Sequence, residues 1–267
     1  MRSQRKTSDR GVALLIVLLV TALLIALIFE FSYATRISLN NAINFRDSQR
    51  AYFLARSGVF AFIKYGDKLR DFYIKQGEWG MVPLISDGET QVLVKWESEQ
   101  AKIPIATVTR GSDAYNMLTQ LFSIKQVSQD ILDSQIVERQ KFSLVSELHM
   151  VMNDEEYDKV APYVTVSPVP ARKININAAS EEVLQSLCRS LGKDDGVVGV
   201  IIGRRGSKPY ASTAEIASTP GMDSLVATYL DVTNSYFKLY SYATVGGYTK
   251  TIEAVVKDNS ISYWRAL

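Results

Sequence analysis

The sequence is poor in the residues that do chemistry. Among its 267 residues there is one histidine, His149, and one cysteine, Cys188. A lone cysteine excludes an intramolecular disulfide, which is neutral about compartment because domains with a sufficient core do without one. A lone His and a lone Cys exclude a metal-binding His or Cys pair, and no Ser-His-Asp or Cys-His set can be built from them. Cys188 sits in an apolar helical context, SLCRSLG, and reads as a small buried hydrophobe. There is no G-x-S-x-G, no P-loop and no EF-hand loop. An enzyme has nothing to stand on here. The formal charge of +2 is too near neutral for a general nucleic-acid binder.

Two further absences point to what is present. No charged side chain lies between Gly11 and Phe29, and no proline precedes Pro83. Extended to Tyr33, and broken only by Glu30, the apolar run is long enough as a helix to cross a bilayer core of about 30 Å. Arg2, Arg5, Lys6 and Arg10 precede it against a single acid, Asp9. The positive-inside rule then keeps the N-terminus cytoplasmic and carries the bulk of the chain across the membrane. A secretory signal has an apolar region of roughly 7–15 residues and then a small-residue cleavage site. This run is longer, and Thr35, Arg36 and Asn40 follow it in a sequence that still reads as helix, so the segment is expected to be retained. Gly11 is a small residue between the basic head and the apolar run. A protease cutting there would leave the helix on the mature chain. It would remove four basic side chains and one acidic one, taking the net charge from +2 to −1.

From Val12 to about Tyr65 the pattern predicts one continuous helix of roughly 80 Å. Its second half is amphipathic, with Ala51, Leu54, Ala55, Gly58, Val59 and Phe62 on one face and Arg46, Asp47, Gln49, Arg50 and Arg56 on the other. A plain anchor followed by a separate helix fits the pattern as well. Beyond Gly66, MVPLISDGETQVLVKW reads as two strands around Asp87-Gly88, and YFKLYSYATVGGYTKTIEAVVKD as two strands around Gly246-Gly247. The stretch between them is mostly helical. The expected fold class is α+β: a long N-terminal helix, an antiparallel sheet from both ends of the soluble region, and an inserted all-helical domain. The expected boundaries are a leader at 1–11, membrane helix at 12–34, soluble helix at 35–66, the sheet at 67–100 with 233–267, and the insert at 101–232.

The insert hints at a duplication. AKIPIATVTRGSDAYNMLTQLF (101–122) and RKININAASEEVLQSLCRSL (172–191) each give a basic residue, an extended apolar-x-apolar step, a loop and a helix. FSLVSELHMVMNDEEYDKVAPYVTV (142–166) and YASTAEIASTPGMDSLVATYLDV (210–232) each give a short helix, a turn and another helix. Asn175 and Asn177 flank Ile176 and point the same way in an extended step. Ser180 before Glu181-Glu182-Val183-Leu184 reads as an N-cap. The run Asn153-Asp154-Glu155-Glu156 reads as a helix start rather than a calcium loop.

Arg10-Gly11 followed by Val12-Ala13-Leu14-Leu15 resembles a type IV prepilin leader: basic head, glycine at the cut, apolar helix. It departs at the fifth mature position, where pilins usually carry Glu and this chain has Ile16. With KININAASEEVLQSL (173–187), SELHMVMNDEEYDKVAPYVTV (146–166) and TNSYFKLYSYATVGG (233–247), nearly the whole chain resembles the general secretion pathway protein K family, minor pseudopilins of type II secretion. Pro104 is a departure, since the family tends to have Asn there in the first repeat. The resemblance implies a long pilin-like helix, a sheet with a helix-hairpin-helix or SAM-like insert, and no enzymatic activity. It implies a prepilin peptidase that cuts after Gly11 and N-methylates Val12. The other implied partners are the I- and J-type minor pseudopilins, the major pseudopilin and the inner membrane. It requires no cofactor; some members bind structural calcium in acidic loops, and no ligands are assigned in this sequence. The absence of Glu at Ile16 marks a tip subunit: a charged amine amid apolar helices is costly, and Ile16 cannot neutralise one above it.

A rival comes from ININAASEEVLQSL…VVGVIIGRRGSKPYASTAEIASTPGM, which also resembles helix-hairpin-helix domains of competence-type DNA-binding proteins. Those hold phosphates on the backbone of a Gly-hydrophobic-Gly turn. Here the first turn reads SLGKDDGVVG, where Asp194 and Asp195 would repel phosphate, and the second ends in Asp223. Arg204, Arg205 and Lys208 form a small basic cluster that reads as a solvated helix end, so no nucleic acid is expected. A membrane-anchored DNA-uptake receptor and a minor pilin of a type IV pilus remain the alternatives.

Overall fold

The computed structural model describes residues 5–75, 81–106, 108–139, 141–233, 235–258 and 260–267. The chain opens with α1, Arg5–Lys75, a single helix of 71 residues and about 106 Å. It runs through Gly66, where the sequence pattern had placed its end, so residues 67–75 belong to the helix and not to the sheet region. A glycine costs about 1 kcal/mol in a helix interior, and the following nine residues contain no proline to enforce a stop. Next come β1, Met81–Asp87, and β2, Thr90–Ser98, joined at Gly88 in the left-handed backbone region (φ 64°).

The insert follows: β3 (Ile103–Pro104), α2 (Asp113–Lys125), a π-helical stretch at Ile131–Ile136 running into α3 (Val137–Arg139), α4 (Asp154–Val160) and β4 (Val164–Thr165). Its second half comprises β5 (Ile174–Asn175), α5 (Glu181–Ser190), α6 (Gly196–Ser207), α7 (Thr213–Ala217), α8 (Ser224–Thr228) and β6 (Leu230–Asp231). The chain closes with β7 (Tyr236–Val245), β8 (Tyr248–Lys257) and β9 (Ser260–Ala266).

The main sheet is antiparallel with order β1-β2-β7-β8-β9. The β2–β7 pairing, from Thr90↔Val245 to Ser98↔Phe237, joins the two ends of the soluble region across the insert. The alternation along β7 buries Phe237, Leu239, Ser241, Ala243 and Val245 on the α1 side, as a half-buried strand requires. The strand β9 was not anticipated. Its sequence, SISYWRA, has little alternation, and it pairs with β8 through a bulge near Val255/Val256.

The two halves of the insert are built alike. In each, a two-residue strand precedes a helix capped by serine. Ser112 accepts from the Tyr115 amide and Ser180 from the Val183 amide. Each opening strand then pairs in parallel with the strand that closes its half, β3 with β4 and β5 with β6. The helices α2 and α5 pack together, and ion pairs cross between the halves, Lys125 Nζ to Glu182 at 2.8 Å and Arg172 Nε to Asp113 at 2.6 Å. The Asn175 amide donates to Thr233 O at 3.0 Å, and Asn177 exchanges two bonds with the Tyr210 backbone. Asn153 and Glu156 form a reciprocal capping box at the start of α4.

Two cores result. One, of Ile103, Leu118, Phe122, Leu148, Ile176, Leu184 and neighbours, lies inside the insert. The other packs Ala55, Val59 and Phe62 of α1 on Val92, Val94, Phe237, Leu239 and Ile252 of the sheet. They share no buried side chain.

Candidate functional site

The site begins at the head of α1. Every residue from Gly11 to Arg46 is exposed, and the buried stripe starts only at Asp47. The apolar half therefore has no packing partner among the described residues. Gly11, Val12 and Ile16 all lie on this bare helix. A Cβ on Gly11 would meet nothing within 4 Å and its φ is not positive, so neither packing nor backbone geometry calls for glycine there. Two threonine hydroxyls along it are satisfied by their own helix. Thr21 Oγ1 donates to the Val17 and Leu18 carbonyls, and Thr35 Oγ1 to Phe31 O. Glu30 lies 19 residues after Gly11, about 28 Å along the helix, which is the thickness of a bilayer core. With Gly11 at one boundary, Glu30 reaches the other. This helix is long and apolar enough to cross a membrane, and it fits a membrane anchor.

From Asp47 the same helix becomes part of the soluble body. Ala51, Ala55, Val59 and Phe62 face the sheet as the sequence pattern required, while Leu54 is only half-buried. Asp47, expected on the solvent face, is instead 7% exposed. A Cβ at Gly246 would lie 2.7 Å from its Oδ2, so the β7–β8 turn sits directly on this carboxylate. That contact excludes a side chain at 246, and both turn residues take positive φ (54° and 85°), which glycine adopts without strain. Arg46 pairs with Asp47 at 2.8 Å. The helical wheel could not show this, because it holds no information about which turn comes to rest on the helix.

The hairpin region of the insert presents charge that is already answered. Lys193 Nζ lies 2.8 Å from Asp223, and Arg189 pairs with Asp195 at 2.5 Å. The Gly196 amide, at the start of α6, donates to Asp194 Oδ1 at 2.6 Å. Arg204 is paired with Glu215, and Arg205 donates to the Ile176 and Ala179 carbonyls at 2.9 and 2.6 Å. The Arg189 hydrogen bond holds the Asp195 carboxyl below its usual range, and the Lys193 bond does the same for Asp223. Carboxylates occupy the positions from which a phosphate would draw its donors.

Where the insert meets the sheet, a chain of charges is partly buried. Lys95 pairs with Glu97 at 2.9 Å, and Lys102 with both Glu97 and Glu99 at 3.1 Å. Glu99 also accepts from the Thr165 hydroxyl and, at 3.4 Å, from Ser167. Burial alone would lower the Lys102 amine; the charges of Glu99 and Glu97 override it and raise it. Further along the sheet, Glu253 lies between Lys238 (2.7 Å) and Arg265 (2.6 Å). None of these was singled out from sequence: Lys238, Glu253 and Arg265 lie on three different strands and Glu99 meets Thr165 and Ser167 across the insert, while Lys95, Glu97 and Lys102 are close in sequence but carry no motif.

Cys188 is fully buried in α5, and burial pushes its thiol up to about 11. Among the described residues no group of three or more His, Cys, Asp or Glu side chains converges to hold a metal ion.

No protein-family model matches the chain, and no curated protein sequence matches it. Among solved structures, it is similar to a chain of the GspK-GspI-GspJ complex from the type 2 secretion system of enterotoxigenic Escherichia coli. The TM-score is 0.64 at 17% identity, over 85% of this chain and 99% of that chain. At this identity the likeness is one of fold: a pseudopilin-like α+β architecture.

Proposed function

We propose that the chain is a minor pseudopilin of a type II secretion system, a non-enzymatic subunit that initiates and caps the tip of a periplasmic pseudopilus. The observation that carries this reading is the division of α1. One continuous helix is bare and apolar up to Arg46 and packed on an antiparallel sheet from Asp47 onward. A helix of this kind serves two environments in turn, the bilayer before assembly and a bundle of like helices after it. The fold likeness to a type 2 secretion complex supports the secretion system over a surface pilus. The paired cations of the hairpin region weigh against a DNA-uptake receptor, which needs free donors for phosphate.

In this reading the N-terminus is cytoplasmic, the helix spans the inner membrane once and the body is periplasmic. A prepilin peptidase cuts after Gly11 and N-methylates Val12. The absence of any steric need for Gly11 supports a requirement imposed by that enzyme. The new amine carries a charge into apolar surroundings, where an unpaired ion is costly. A joining subunit with Glu at the fifth position neutralises the amine above it. Ile16 supplies no such group, so this subunit is accepted where nothing sits above it. The insert, standing beside the sheet, adds bulk that hinders stacking over it. I- and J-type minor pseudopilins complete the tip complex, and the major pseudopilin extends below.

The test is to express the full chain with and without a prepilin peptidase and read the mature N-terminus by mass spectrometry. N-methylated Val12, seen only with the peptidase, is the expected result. A chain that stays uncut in its presence would overturn the proposal.

A further inference from the structure

The sheet face turned away from α1 meets the insert across a cleft of about 430 Å³. Leu144, Tyr157 and Pro168 line it from the insert, and Tyr240, Tyr263 and Arg265 from β7 and β9. This volume takes a few side chains and is too small for a folded element. Its walls mix tyrosine and aliphatic side chains with serines and charged groups, and tyrosines offer broad contact area at small cost in side-chain freedom.

The charge at its base does not balance. Glu253 is 4% exposed and serves two cations at once, Lys238 at 2.7 Å and Arg265 at 2.6 Å. Glu99 also lines the cleft, but its charge is taken by Lys102 at 3.1 Å, and with Lys95 and Glu97 that neighbouring group balances, two cations to two acids. One positive charge is therefore left over, and Arg265 brings it to the rim, with half of its side chain exposed. Glu253 accepts from its Nε, whereas a guanidinium presents five donors in a planar fork suited to a carboxylate. A surface with tyrosine walls and an uncompensated arginine at its edge has the make-up of a binding hot spot.

We propose that this cleft binds an extended segment of a partner protein, with an acidic side chain on Arg265 and apolar groups packed on Tyr240 and Tyr263. Bound in this way, the carboxylate would restore neutrality to the group of Lys238, Glu253 and Arg265. The site lies far from Gly11 in sequence and does not depend on the leader, so it operates in the uncut chain as well.

The experiment uses the full chain in detergent micelles on an array of random octapeptides with a fixed central Asp, beside the same array with Asn in its place. Retention on a subset of the Asp peptides, at least tenfold above their Asn counterparts, is expected. Arg265→Lys keeps the charge and the pairing with Glu253 but loses the fork, and should remove the preference for Asp. Tyr263→Ala, at a 38% exposed position that leaves the core intact, should lower retention on both arrays. Equal retention on the two arrays, no retention above background, or an Asp preference unchanged in Arg265→Lys would each overturn the proposal. Because uncut and processed chains serve equally, failure here is separable from failure of the pseudopilin reading.

Discussion

Gly58 of α1 lies directly against Ser241 of β7. A Cβ at position 58 would overlap the Ser241 hydroxyl and come within 3.2 and 3.3 Å of Val92 and Val94. The helix thus reaches the sheet most closely at a residue without a side chain. Ser241 Oγ is fully buried and has no hydrogen-bond partner there. Gly58→Ala should gain up to about 1 kcal/mol of helix propensity and lose about 1–3 kcal/mol to overpacking, for a net loss. Ser241→Ala should stabilise by about 1 kcal/mol, because it deletes an unsatisfied buried hydroxyl. The double variant should be more stable than the sum of the singles predicts. Thermal unfolding of the four proteins in one detergent measures the coupling; strict additivity would show that the two positions do not meet.

On the proposed function, substitutions at Gly11 and Ile16 should affect processing and assembly and leave folding unchanged. Both lie on the bare part of α1, so Gly11→Val and Ile16→Glu should leave the melting temperature of the soluble body within about 1 °C of the parent. Gly11→Val should abolish release of the leader by the peptidase. Ile16→Glu should be processed normally but be found within pseudopili as well as at their ends, as read by engineered cross-links to the major pseudopilin. A variant still confined to the tip would remove the missing carboxylate from the explanation.

Glu253 predicts a pH dependence. Burial pushes its carboxyl up, but the bonds and charges of Lys238 and Arg265 override this and leave it below the usual 4.5. A depressed carboxyl contributes stability that is complete above the unfolded value and lost as pH falls through the folded one. The wild type should therefore lose stability from about pH 4.5 downward. Glu253→Gln leaves Lys238 and the half-exposed Arg265 without their carboxylate and should cost about 1–2 kcal/mol at pH 7. The gap between the two proteins should narrow toward pH 3, as urea unfolding across that range would reveal.

Cys188 should be inert in the folded chain. It is fully buried, and its thiol is raised to about 11 by burial first and then by Asp195, Asp223 and Asp194. Iodoacetamide at pH 8 should leave it unmodified in the native protein and alkylate it fully in urea. Rapid native alkylation would mean that α5 opens on its own.

Much of the fold was legible because its signals are local. Ser180 and Asn153 announce helix starts within four residues, and Gly88 and Gly246-Gly247 announce turns within two. The end of α1 was misplaced at Gly66 because a single glycine is a weak stop, and β9 was missed because SISYWRA has little alternation. The matching of the halves of the insert could be sensed in the sequence. Its form, each opening strand paired in parallel with its closing one, depends on contacts some sixty residues apart, such as Ile103 with Val164.

What the sequence by itself determined is the apolar half of the long helix. Nineteen uncharged residues from Gly11 to Phe29, behind a basic head, are long and apolar enough as a helix to cross a membrane, and they need no other part of the chain for that. The tertiary structure alone decided how the charges are spent. It placed Asp47 beneath Gly246, turned Lys193 and Arg204 inward onto acids, and set Glu253 between two cations. Hydrophobic length is a property of consecutive residues, whereas an ion pair exists only where folding brings distant side chains within about 4 Å.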